Sequence, residues 1–378
     1  MTAPGMNSQE TGKAMVEDLY TVKYAINSGH KLPTTSVKVS PNGRCFATSS
    51  SDSTIRVFNF ETGEFITELS GHTMGVSDIA FSPINPDVLA SCSDDLTIRL
   101  WSIEAKKCIK ILKKHTYHVT TIKFTSKGNI LISGSADETI TIWDLSSGKI
   151  LKTLAAHADP VLSICLTPDN TIIVSASYDG LMRLFDLETG QCLKTLTYNS
   201  TSHGTATASI NDTLNFPISN VEISPNGKYI LSSSLDGVIR LWDYMNNRII
   251  KTYNGIASEP ICETFSCGTK FIITTDTPKI VSGSEKHGLL IWDVQSKSID
   301  FQYKPGEGPV FLVDVVDGGN QVICCSLDGT ITVLQLNEKY MKQPEANGNV
   351  LESNGRVYHE TPTPKPEPMT VETTPISE

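Results

Sequence analysis

No part of this sequence is an uninterrupted apolar run of the roughly 18 residues that a transmembrane helix needs. The opening residues, MTAPGMNSQETGK, lack the basic-then-apolar order of a secretory signal. Membrane and secreted placements are therefore not expected. Cysteine is sparse: its nine copies are odd in number, scattered, and never spaced CxxC. Neither a disulfide framework nor a zinc site is indicated, and a reducing compartment is favoured. A basic stripe is also missing. With a net charge of −10, the chain is a poor candidate for gripping DNA or RNA unaided, while basic partners such as histone tails stay open. No Walker loop, HExxH or GxSxG occurs. The expectation is a non-enzyme with no cofactor and no metal.

What the chain does have is 378 residues, 39% of them hydrophobic, enough for a sizeable core. Its four tryptophans share one context. Trp101, Trp143, Trp242 and Trp292 end the runs TIRLW, TITIW, VIRLW and LLIW, and Phe58, Phe185 and Leu334 fill the same slot in TIRVF, LMRLF and TITVL. Six residues before the slots stand Asp52, Asp95, Asp137, Asp179, Asp236, Lys286 and Asp328. The slots are spaced 43, 42, 42, 57, 50 and 42 residues apart, a period that marks a repeat architecture.

Each unit reads as four short strands: two apolar or alternating ones, a tight turn holding the Asp, the strand ending in Trp, and a closing strand such as CIKIL or CLKTL. That pattern resembles the blade of a WD40 propeller. The expected fold is all-β, seven-bladed, over residues 19–337. The last unit supplies only three strands, so YTVKYAI (20–26) is expected to complete it, since an unpaired sheet edge invites aggregation. Residues 1–18 and 338–378 read as disordered tails, the second rich in Pro, Thr and Glu. An insertion is placed near 198–216 and a smaller one near 268–279.

The resemblance implies a hydrogen-bonded network inside a blade. Blade two would use His72, Asp95 and Trp101 with Ser91 or Ser93, and blade three His115, Asp137 and Trp143. Because such His/Asp/Ser sets recur in copies, they read as structural and not as a catalytic triad. Phe58 and Phe185 keep aromatic packing but lose the indole donor. Blades five to seven lack the His, and in blade six Lys286 replaces the Asp.

Longer segments are more specific. HADPVLSICLTPDNTIIVSASYDGLMRLFDLETGQCLKTL, SPNGKYILSSSLDGVIRLWDY and KIVSGSEKHGLLIWDV resemble the WD-repeat scaffold subunit of the COMPASS/MLL complexes, which methylate lysine 4 of histone H3. The similarity spans about residues 20–336, and the insertion and tail mark a divergent, fungal-like member. It implies a nuclear scaffold with a SET-domain methyltransferase, a second WD-repeat subunit and the histone H3 tail as partners. Two surfaces come with it. At the channel mouth, where the family clasps an arginine between two phenylalanines, Ser77, Asp94, Tyr178 and Ser219 match, Leu162, Ala136 and Glu259 depart, and Thr120 and Cys262 stand at the two ring positions. Neither offers an aromatic face for a guanidinium. Either an arginine ligand binds weakly, or the catalytic subunit is held another way. The second surface is a cleft of blades five and six, expected from Asn226, Tyr229, Leu241, Phe265 and Gln295, with Cys267 in place of a valine. The alternative is a WD40 scaffold of another assembly, such as a ubiquitin-ligase, general-transcription or signalling complex.

Overall fold

The computed structural model describes residues 18–198, 216–306 and 308–342. The expected tails up to residue 17 and from 343 onward, and residues 199–215 of the expected insertion, lie outside these. Seven four-stranded antiparallel sheets make up the fold. Their inner strands, Thr34–Val39, Val76–Phe81, Val119–Phe124, Val161–Leu166, Ile218–Ile223, Thr269–Ile272 and Val310–Val316, contact one another in sequence around a closed ring. This is the seven-bladed propeller that the repeat implied.

The repeat has a physical reason. The large apolar clusters lie between sheets, one in each seam. Trp101 packs with Ile55, Val57 and Leu69 of blade one, and Trp143 with Ile98, Leu100 and Leu112 of blade two. Trp242 and Trp292 bury themselves the same way against blades four and five. Phe185 faces blade three, Leu334 faces blade six, and Phe58 closes the seam between blades seven and one. The slot fills the gap to the preceding blade, a task any large apolar side chain performs.

Closure follows the expected route. Tyr20–Asn27 pairs antiparallel with Thr330–Leu336, from Tyr20 opposite Leu336 to Asn27 opposite Thr330. The Tyr20 hydroxyl donates to the Gly319 carbonyl at 2.6 Å. The described residues continue past 337 into the region read as a tail. Glu338–Tyr340 forms a 3-10 turn, Tyr340 donates to Asp18, and Met341 bridges to Thr275 in the extra residues of blade six.

Six inner strands share one irregularity. Each slips register around its second residue: Thr35, Ser77, Thr120, Leu162, Ser219 and Phe311. A bulge re-aims a side chain, and these six stand at one end of the central channel.

Candidate functional site

The His/Asp loops and the channel mouth share one end of the ring, because the loops between blades and the turns before the third strands both lie there. In blade two, His72 Nδ1 is 2.8 Å from Asp95, and its Nε2 is 2.7 Å from the Ser91 hydroxyl. A carboxylate only accepts, so Nδ1 carries the hydrogen. Nε2 then accepts from Ser91, whose oxygen accepts from the Trp101 indole at 2.8 Å. Of the two candidates, Ser91 is the relay, while Ser93 donates to the Gly75 carbonyl. Blade three repeats the chain with His115, Asp137, Ser133 and Trp143.

Two more networks were not anticipated. His157 joins Asp179 and Ser175, and His30 joins Asp52 and Thr48. Their signal was in the sequence: both histidines precede their Asp by 22 residues, as His115 precedes Asp137. All four imidazoles are fully buried, with side chains no more than 1% exposed, so no substrate reaches them. Burial, only partly opposed by the neighbouring aspartates, holds His30, His72 and His115 below the usual histidine range. Burial also disfavours charge on Asp52 and Asp95. Hydrogen bonds from Thr54 and the Lys31 amide, and from Thr97 and His72, outweigh it and bring both carboxyls to about 2.

Blades five and six solve the same problem differently. In blade five Arg240, its guanidinium carbon 3.9 Å from the Tyr198 ring centroid, donates to Ser234 and Asp236. In blade six the substitution read at Lys286 is compensated one residue earlier. Glu285 accepts from the amides of Glu263, Thr264 and Phe265 at 2.7–3.0 Å, which fixes that loop.

At the mouth, Ser77 donates to Asp94 at 2.9 Å, and Asp94 also meets His118 at 3.2 Å. Tyr178 projects from the same end, half exposed. Thr120 spends its hydroxyl on the Gly134 and Val161 carbonyls, stitching blade three to blade four, and buried Ser219 donates to Ser233. Cys262 does not line the mouth. It is buried beneath it with Cys267 and Phe311. The aromatic there is a pair the sequence did not reveal: Phe265 lies 4.6 Å from Phe311, centroid to centroid, and stays 46% exposed. Phe311 occupies the same bulge position as Thr120 and Ser219, a register that a gapped repeat hides.

The expected blade five–six cleft is divided. Asn226 and Tyr229 lie at the first turn of blade five, and Gln295 at the last turn of blade six, where its carbonyl accepts from Lys251. Leu241 is buried in the seam with Trp292, and Tyr229 packs against that seam. Phe265 and Cys267 sit at the opposite end of the ring. Blade six begins its inner strand only at Thr269, so residues 262–268 are mouth loop and not strand.

Among the described residues, no group of three or more His, Cys, Asp or Glu side chains is arranged to hold a metal ion.

Comparison with known proteins matches the WDR5 beta-propeller domain over residues 26–335. The COMPASS component SWD3 of Saccharomyces cerevisiae is 35% identical over 85 residues, 22% of this chain and 27% of that protein. A Lissencephaly-1 homolog of Monosiga brevicollis is 42% identical over 53 residues, 14% of this chain and 13% of that one. The WD repeat-containing protein VIP3 of Arabidopsis thaliana is 45% identical over 56 residues, 15% and 17%. The chain thus spans about a quarter or less of the length of these curated relatives. The family match covers all seven blades, and this chain belongs to the WDR5 beta-propeller family.

Proposed function

We propose that this protein is a non-catalytic WD40 scaffold of a nuclear, COMPASS-like assembly that supports methylation of histone H3 lysine 4 by a SET-domain subunit. The observation that carries the reading is the family match over residues 26–335, joined to the similarity with a COMPASS component. The geometry supports it. Buried His–Asp networks spend their chemistry on the fold, which leaves surfaces rather than reaction centres. The mouth end presents the exposed rings of Phe265 and Tyr178, with half-buried Asp94 and exposed Glu259 and Glu263, a surface complementary to a basic histone tail.

The second WD-repeat subunit docks at the other end, on Asn226, Tyr229 and Gln295. Phe265 and Cys267 take no part in that contact. Tyr229→Ala with Gln295→Ala should weaken a purified second WD-repeat COMPASS subunit at least tenfold, while Phe265→Ala should leave it unchanged. Equal loss with Phe265→Ala, or none with the double variant, would contradict this assignment. The other reading, a scaffold of a different assembly, draws on the short, higher-identity similarities to the Lissencephaly-1 homolog and VIP3. It predicts no binding to COMPASS subunits by any form of the protein.

A further inference from the structure

Blade six lacks the first part of an inner strand, and the loop in its place brings two thiols together. Thr269–Ile272 has four residues, against six or seven in the other inner strands. The loop before it, CETFSC (262–267), begins and ends on cysteine. Cys262 and Cys267 are buried, while the four residues between them are exposed. Both cysteines pack in one cluster with Phe311, and their thiols face each other as hydrogen-bond partners. The Ser233 hydroxyl lies 3.8 Å from the Cys262 sulfur. Among the described residues, no other two of the nine cysteines share a hydrogen bond. Cys324 and Cys325, adjacent on one strand, point to opposite faces.

The loop opens without breaking a sheet. Residues 262–267 make no backbone–backbone hydrogen bond among the described residues. They are held by the Glu285 carboxylate, which accepts the amides of Glu263, Thr264 and Phe265, and by Ser266, which donates to the Ser219 carbonyl at 3.2 Å. Releasing side-chain holds of this kind belongs to the low-energy end of local opening, and it uncovers both thiols. The two thiols also differ in acidity. The hydrogen bond from Cys267, joined by one from Ser233, holds the Cys262 thiol below the usual cysteine range in spite of burial. The same bond, with burial added, pushes the Cys267 thiol well up. Since the thiolate is the nucleophile, Cys262 is the member set to attack and Cys267 the one set to resolve.

We propose that Cys262 and Cys267 form a reversible redox modification site, closing to a disulfide within the mouth loop when hydrogen peroxide is the oxidant. The Cys262 thiolate attacks one peroxide oxygen, the oxygen–oxygen bond breaks, and the sulfur becomes a sulfenic acid as hydroxide leaves. The proton that Cys262 gave up turns that hydroxide into water. The Cys267 sulfur then attacks the Cys262 sulfur, the sulfur–sulfur bond forms, and the sulfenic oxygen departs with the Cys267 proton as a second water. Two electrons pass from the thiol pair to the peroxide. Two molecules of a thiol such as glutathione return them through a mixed disulfide. Transient, redox-sensing disulfides are the kind found in reducing compartments. Closure ties together the two ends of the loop that carries Phe265, and it does so whichever chain the mouth holds.

The test is treatment of the reduced full chain with equimolar hydrogen peroxide, then alkylation, trypsin and mass mapping. The tryptic peptide 252–270 carries Cys262 and Cys267 and no other cysteine. It should lose two hydrogens, escape alkylation, and recover both thiols when glutathione is added. Cys267→Ser should stop at a sulfenic acid on Cys262, trapped by dimedone, whereas Cys262→Ser should leave Cys267 a free thiol. Both thiols still open to alkylation after peroxide, a disulfide to any other cysteine instead, or dimedone capture on Cys267 in place of Cys262 would overturn the proposal. So would loss of the native circular dichroism spectrum before the disulfide appears, because the thiols would then react only in the unfolded chain. The mapping of the wild-type protein needs no variant, so it decides the matter even where a serine form does not fold.

Discussion

A single hydroxyl shows how a blade converts sequence into stability. Ser91 accepts from Trp101 and donates to His72, and both partners are buried. Ser91→Ala strands one donor and one acceptor, each worth about 1–3 kcal/mol when left unsatisfied. Chemical denaturation should register a loss of at least about 2 kcal/mol, and Ser133→Ala should match it in blade three, where the chain of bonds is the same. The charge states add a pH dependence. His30, His72 and His115 titrate below their unfolded value of about 6.5, so their stabilisation is complete above that pH and declines as pH falls below it. Asp52 and Asp95 titrate at about 2, so theirs is complete above about 4 and is lost between there and about 2. Both groups act in the same direction: stability should fall from pH 7 toward pH 5 and fall again below pH 4. A denaturation midpoint that stayed flat from pH 7 to pH 3 would contradict these assignments.

At the scale of elements, the strand Tyr20–Asn27 is the piece of blade seven that comes from the N-terminal side of the sequence. Without it the blade keeps three strands and exposes an edge. Leu19 and Tyr20 would also leave the seam they fill with Val281, Phe301 and Leu336. Deleting residues 19–28 should abolish the single cooperative unfolding transition or lower its midpoint by more than 10 °C, read by circular dichroism. An unchanged transition would mean the ring does not depend on its latch. This element was legible because the last unit was visibly one strand short. The His/Asp turns were legible in blades two and three, where Trp marks the third strand. They were missed at His30 and His157, whose blades carry Phe in the Trp slot. In blade six the repeat spacing breaks, and no motif signals that Glu285 takes the place of the missing aspartate.

For the molecule as a whole, the fold was legible because seven copies of one pattern vote together, whereas a binding surface is assembled only once. Carrying a surface over by resemblance assumes that the register holds. Within that register Asn226, Tyr229 and Gln295 share one end of blades five and six. It fails at residues 262–268, where the inner strand starts late. There Cys262 drops beneath the mouth, and Phe265 moves to the mouth to meet Phe311. The proposed function is that of a ring holding other chains at its two ends. Its central claim is tested most directly by purifying the tagged protein from its own cells and identifying the co-purifying chains by mass spectrometry. The account predicts a SET-domain methyltransferase and a second WD-repeat protein in near-stoichiometric yield. A different stable set of partners, with neither of these present, would contradict it.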